Sequence, residues 1–179
     1  MARECDVAVI GAGAAGVAAS VVAARSGCRV TLIDVGDRPG GQYYRGADLS
    51  SLPSAGLDYA ALASDLDGLV AANAVDYRPR TTAYALERAG QRLLVRTRGD
   101  DGHRDDVGIV DAGTVVVATG AVARPLPFPG WTLPGVMTGG GAQSLVKGQH
   151  VLPGRRVVVA GTGPFLLAVA ATLLEHGAD

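Results

Sequence analysis

Cysteine is nearly absent from this 179-residue chain. Cys5 and Cys28 each sit beside an apolar run, with no CxxC or metal-type spacing, so both read as packing residues and no metal site is expected. Charge of one sign is equally scarce: 16 Lys and Arg face 17 Asp and Glu, for a net −1 and no block of five like charges. That balance excludes a nucleic-acid footprint and an acidic tail. Long hydrophobic runs are missing too. "MARECDVAVIG" holds no stretch of signal-peptide length, and the Ala/Val-rich residues 14–24 are too few and too broken by glycine to span a bilayer. The expectation is a cytoplasmic protein without a transmembrane segment. A chain of this length can bury one good core, or one domain and part of another.

Glycine, by contrast, is abundant, with 26 residues, and it falls in patterns. Val7 to Ile10 is a short β-branched run and Ala14 to Ser26 is rich in helix formers, so the chain opens strand, turn, helix. Gly27 ends the helix and "RVTLID" is a second strand. Continuous apolar runs, rather than alternation, predict strands buried on both faces of a parallel sheet, hence a βαβ unit. Residues 37–53 turn to loop chemistry, and 59–73 return to helical spacing with Leu62, Leu66, Leu69 and Val70 on one face. From Val75 to Gly120, alternating segments broken by Ala-Gly and Asp-Asp-Gly predict an antiparallel meander, with DDGHRDD as a solvated turn and Thr114 to Ala118 as another buried strand. Four prolines between 125 and 134 make an ordered, non-repetitive connection. A short helix follows in "GGGAQSLVKGQHVLPG", and "RRVVVAGTGPFLLAVAATLLEHGAD" predicts a further strand, glycine turn and helix.

Chemistry concentrates in the turns. Gly11-Ala12-Gly13-Ala14-Ala15-Gly16 is a complete GxGxxG between a strand and a helix. Gly11 permits the tight turn, Gly13 lets backbone approach a pyrophosphate, and Gly16 lets helix and strand pack closely, while the helix N-terminus offers N–H groups and partial positive charge. Asp34 ends the next strand, where a carboxylate accepts from ribose hydroxyls and argues against a 2′-phosphate. In Pro39-Gly40-Gly41-Gln42 the paired glycines permit positive φ and close contact with a flat ligand, and Gln42 adds a donor and an acceptor; the pattern alone fits a surface turn equally well. "TVVVATG" ends a strand on small residues. In a doubly wound sheet Ile10, Asp34 and Ala118 would all end at one crevice.

GxGxxG with its acid, then GGQ, then ATG, then a second glycine turn after "RRVVVAG", resembles the flavoproteins with two dinucleotide-binding domains, the class of thioredoxin reductase and glutathione reductase. The resemblance implies a Rossmann-like FAD-binding α/β domain over residues 1–130, a connection over 131–154, and over 155–179 the start of a second Rossmann-like, NAD(P)-binding-type domain. It places Gly11, Gly13, Ala14, Ala15, Gly16 and Asp34 on FAD, Gly41 and Gln42 along the flavin side, and Thr119 and Gly120 near the diphosphate. Gly161 and Gly163 would belong to a second nucleotide site. The region holds no cysteine pair near the flavin, so a dithiol mechanism is not expected. "GGQYYRG" and "RPLPFPGWTLPGVMTGGGAQSLVKGQHVLPGRRVVVAGTGP" bring a finer resemblance, to the flavoprotein subunits of opine oxidase, sarcosine oxidase, dye-linked proline dehydrogenase and hydrogen cyanide synthase.

That resemblance implies an FAD-dependent oxidoreductase moving hydride from a small amine or amino acid to flavin N5. Arg45 is a candidate for the substrate carboxylate or a loop residue packed on tyrosine. No general base stands out; His103, His150 and His176 qualify by type alone. A flavin-dependent NAD(P)H reductase of an electron carrier and a non-catalytic flavin-binding or docking fragment remain alternatives. Leu166 stands where a third glycine would, so helix and strand should sit further apart there. The expected partners are the C-terminal portion of a longer flavoprotein or other subunits, since the last helix is apolar on most of its surface.

Overall fold

The computed structural model describes residues 3–45, 54–99 and 107–179, with 54–57 as backbone alone. It divides into two compact units, residues 1–120 and 121–179.

In the first unit, β1 (Arg3–Ile10), α1 (Ala14–Arg25) and β2 (Val30–Ile33) form the expected βαβ unit, with β1 beginning at Arg3. α1 is alanine- and valine-rich, is N-capped by the extended Gly13, and ends where Gly27 turns left-handed at φ +86°. Its Gly16, Val17, Ser20, Val21 and Ala24 face inward. α2 (Ser54–Ala71) follows, then β3 (Val75–Arg78), which pairs parallel with β2. This parallel strand corrects the expectation that the meander starts at Val75. Four residues ending before Pro79 carry no periodic signal, and the pairing that makes them a strand lies some forty-five residues back in the chain. The meander itself is β4 (Thr81–Ala89), β5 (Arg92–Gly99) and β6 (Val107–Val117), with the predicted DDGHRDD tip outside the described residues.

The sheet order is β3-β2-β1-β6-β5-β4. β1 pairs parallel with both β2 and β6, and β6 pairs antiparallel with β5. Two successive crossovers in one direction put α1 and α2 on the same face of the sheet. Val9, Val17, Val21, Leu32, Leu66 and Val75 make that core, and Leu62, Leu69 and Val70 pack against it. On the other face Cys5, Ala8, Ile33, Val95 and Val110 cluster, with Ala83 of β4 packed onto them. Both cysteines are free and serve packing: Cys5 is buried, its thiol pushed up by that burial, and Cys28 packs at the margin of the helical core. The end of β6 departs from the buried strand expected, since Val117 is 64% exposed.

The second unit has the proline connection without regular structure, α3 (Gly139–Gln149) and α4 (Phe165–Glu175). Thr138 Oγ1 caps α3 by accepting from Gly141 N–H at 3.1 Å. Val146, Val169, Leu173 and Ala178 form the core, joined by Val157 and Val159. The strand expected at "RRVVVAG" is not formed: 155–160 has no regular structure and pairs with no strand among the described residues. A strand is defined by its ladder, and here only isolated backbone bonds occur, Val157 N–H to Asp179 O at 3.1 Å and Asp179 N–H to Arg155 O at 2.6 Å. Val158 between the two half-buried valines is 93% exposed, and Leu167 and Leu174 of α4 are exposed as expected of that helix. No described helix is long and apolar enough to cross a membrane.

Two buried hydroxyls lack a hydrogen-bond partner among the described residues, Tyr59 Oη and Tyr77 Oη. Burial first, then the nearby Tyr44, Asp67 and Asp34, pushes the Tyr59 phenol from its ordinary value of 10.0 up to about 12. Tyr77 is raised as well, by burial and then by Asp34 and Asp37. A raised phenol favours its neutral form in the fold, so its contribution is fully present below the unfolded pKa and is lost as pH climbs through the folded one. Thermal unfolding followed from pH 8 to 12 should show stability falling above about pH 10. Tyr59→Phe should lessen that fall and leave neutral-pH stability unchanged or about 1 kcal/mol higher; a destabilised variant would mean the hydroxyl has a partner.

Glycine packing gives a second expectation. A Cβ on Gly16 would overlap the Gly11 carbonyl oxygen, whereas Gly27 has open space and only its φ of +86° to constrain it. Gly16→Ala should cost ~3 kcal/mol in urea unfolding, and Gly27→Ala ~1 kcal/mol. Equal costs would show that helix seating on β1 is not the tighter constraint.

Candidate functional site

The crevice is built where the strand order reverses. β1 is joined through α1 to β2 on one side and lies beside β6 on the other, so the carboxyl ends of β1 and β6 diverge into different connections, the geometry in which open α/β sheets take ligands. Ala118 N–H donates to Ile10 O at 2.8 Å and Gly11 N–H to Ile33 O at 2.8 Å, which brings the ends of β1, β2 and β6 level. Gly11 then turns at φ +103°, and a Cβ there would overlap Ala118 O and stand 3.1 Å from Thr119 Cα. The TVVVATG strand end therefore closes one side of the glycine turn. Thr119 and Gly120 follow, both exposed, Gly120 at φ +72°.

The PGGQ turn closes the opposite side. Gly40 N–H donates to Ala12 O at 2.8 Å, and a Cβ on Gly41, at φ +58°, would lie 2.9 Å from Gly13 Cα. Two glycine backbones thus meet with no side chain between them. Gln42 is exposed just beyond, followed by the exposed Tyr43 and Arg45.

Asp34 ties the turn to β2. Its Oδ2 accepts from Ala12 N–H at 2.5 Å and its Oδ1 from Gly36 N–H at 2.6 Å. A carboxylate oxygen offers two acceptor sites, so each keeps capacity for a hydroxyl. Ala12 is the hub of this arrangement, its N–H held by Asp34 and its C=O by Gly40, and it is fully buried. Nothing in the GxGxxG pattern marks that middle alanine, so sequence reading missed it. Gly40 was within reach, as the first glycine of a pair whose φ is +133°.

The N-terminus of α1 carries no side-chain cap and no acid in its first turn. Ala14 and Ala15 are exposed there, with small side chains that leave the helix end open. Uncapped N–H groups and the helix dipole favour an anion at this end. The residues present fit a dinucleotide: backbone without Cβ at Gly13 and Gly41, an open helix N-terminus for the diphosphate, and a carboxylate with acceptor capacity for a ribose.

The remaining candidates lie elsewhere. Gly161 and Gly163 belong to the second unit, at φ +142° and +103°, and open α4. Leu166 folds its Cδ1 to within 3.2 Å of where a Gly161 Cβ would be, so the leucine occupies the space over the turn that a third glycine would leave empty. His150 is the left-handed C-cap of α3, and His176 Nδ1 lies 2.8 Å from Thr172 O at the end of α4. His103 lies outside the described residues.

Comparison with known proteins agrees with this geometry. An opine oxidase subunit of Agrobacterium tumefaciens (strain Ach5) is 42% identical over 96% of this chain and 35% of its own length. The hydrogen cyanide synthase subunit HcnB of Pseudomonas aeruginosa is 36% identical over 94% of this chain and 36% of its own. L-proline dehydrogenase from P. horikoshii superposes with a TM-score of 0.78 at 25% identity, covering 99% of this chain and 35% of that one. The chain thus spans about a third of the length of these relatives. The family model for pyridine nucleotide-disulphide oxidoreductase matches residues 5–179. By that match over nearly its whole length, the chain belongs to the pyridine nucleotide-disulphide oxidoreductase family, FAD-dependent oxidoreductases with Rossmann-like folds.

Proposed function

We propose that this chain forms the FAD cradle of an oxidoreductase that oxidises a small amino acid or secondary amine. The observation that carries the reading is the meeting of Gly13 and Gly41, backbone against backbone, beside Asp34 and the uncapped start of α1. In this reading Gly11, Gly13, Ala14, Ala15 and Gly16 face the diphosphate, and Asp34 accepts from the ribose. Gly41 and Gln42 lie along the flavin side, and Thr119 and Gly120 lie near the diphosphate. When bound, FAD would supply the electron chemistry, as the acceptor of a hydride from the carbon bearing the substrate nitrogen. The chain's own contribution is to bind, orient and keep side-chain volume out of the diphosphate's path. Arg45, exposed at the end of the GGQYYR turn, is the candidate for a substrate carboxylate, which a guanidinium holds through two parallel bonds.

The substrate class rests on relatives named for opines, proline, sarcosine and hydrogen cyanide synthesis. Several are named as subunits, so the partners proposed are other subunits or a further portion of the same protein. A second reading, reduction of the flavin by NAD(P)H, is favoured by the positive-φ glycine turn Gly161 to Gly163 at the start of α4.

The test is the visible spectrum of the 179-residue chain after incubation with FAD and removal of excess. Gly13 has a methyl's worth of room, since a Cβ there would be no nearer than 3.9 Å to Gly41 Cα. Gly13→Ala should therefore keep unfolding stability within ~0.5 kcal/mol while weakening FAD binding about tenfold or more by holding the diphosphate off the N–H groups. Folded wild-type protein that retains no flavin, or a Gly13→Ala variant that binds as well, would defeat the reading. With flavin bound, anaerobic bleaching by amines supports the amine-oxidising reading and bleaching by NADH alone the second.

A further inference from the structure

We propose that Tyr44 is a positioning residue for the cradle, stacked on Tyr59 so that the 39–44 turn is held against the glycine turn of β1. The inference rests on the flavin reading of that site and adds a residue to it. The two rings are parallel, with centroids 3.9 Å apart and an interplanar angle of 1°. Tyr59 is fixed: it sits on α2, is 4% exposed and belongs to the same core as Val9, Leu66 and Val75. Tyr43 meets the outer side of the arrangement edge-on, its centroid 4.8 Å from that of Tyr44 at 78°.

From the ring the constraint passes along the backbone. Tyr44 N–H donates to Gly40 O at 3.1 Å, and a Cβ on Gly40 would stand 3.2 Å from the Tyr44 carbonyl, so the tyrosine's backbone lies directly on Gly40. Gly40 in turn donates to Ala12, and Gly41 abuts Gly13. The turn needs such an anchor. Gly40 and Gly41 both have positive φ, at +133° and +58°, and glycine gives up more conformational freedom on ordering than any other residue. To the backbone bond from Gly40 to Ala12, a ring seated on a core aromatic adds stacking and burial that a freely hinging glycine pair does not supply itself. The ring face performs this task; the phenol oxygen of Tyr59 makes no bond among the described residues.

Tyr44→Leu keeps apolar bulk and loses the stack, and Tyr44→Phe keeps both. Hydrogen exchange resolved at the Gly40 amide, compared with the Val9 amide inside β1, reads the turn without any ligand; FAD titration reads the cradle. In Tyr44→Leu the Gly40 amide should exchange about three- to tenfold faster and the FAD dissociation constant rise by a similar factor, with Val9 unchanged. Tyr44→Phe should match wild type in both. Wild-type behaviour of Tyr44→Leu within about twofold, or a Tyr44→Phe variant as loose as Tyr44→Leu, would overturn the proposal. Failure of wild-type protein to bind FAD would count against the flavin reading instead, and the exchange rates would still decide whether Tyr44 holds the turn.

Discussion

The crevice depends on one steric constraint: neither Gly11 nor Gly16 can carry a side chain where the end of β1, the start of α1 and the end of β6 meet. Gly11 lies against the Ala118 carbonyl and Gly16 against the Gly11 carbonyl, each closer than a Cβ permits. That contact seats the first turn of α1 against the end of β1 and leaves its uncapped N-terminus at the crevice. A helix displaced by the width of a methyl group would still be a helix, but its dipole would no longer open where the three strand ends converge.

Polar bonds then fix what the steric contact brings together. Asp34 is held by the N–H groups of Ala12 and Gly36, and Ala12 O receives Gly40 N–H. A residue expected only to meet a ribose therefore also organises the turn around it, and those two bonds orient its carboxylate. Preorganisation of this kind reduces what binding must spend on ordering loops. At the opposite end of the sheet Arg92 does comparable work, bonding Asp111 Oδ1 at 2.6 Å and Cys5 O at 3.2 Å, so that β1, β5 and β6 are joined by one side chain.

The two units differ in how far their sequence patterns are realised. In the first, every expected strand finds a neighbour, α1 and α2 cover one face of the sheet, and a buried cluster around Ile33, Val95 and Val110 forms on the other. In the second, three valines patterned for a doubly buried strand half-bury two and expose the third at 93%. Periodicity states which side chains suit an interior; the interior exists only where another layer supplies it.

Local signals made much of this protein legible. The strand, glycine turn and helix within residues 7–26, the acid at Asp34, a helix expected over 59–73 and found at 54–71, and the existence of helices at 139–149 and 165–175 follow from φ requirements, Cβ volume and apolar period, all properties of neighbours along the chain. The candidate site was legible to the extent that glycines and an acid announce a dinucleotide. Tertiary structure alone decided that Val75–Arg78 joins β2, that the strand order reverses between β1 and β6, that PGGQ lands on GxGxxG rather than in solvent, and that Ala12 and Tyr44 matter to it. Those are pairings between residues tens of positions apart, chosen by hydrogen-bond ladders and shared surfaces, and no spacing within a short window encodes which distant partner a strand or a turn will meet.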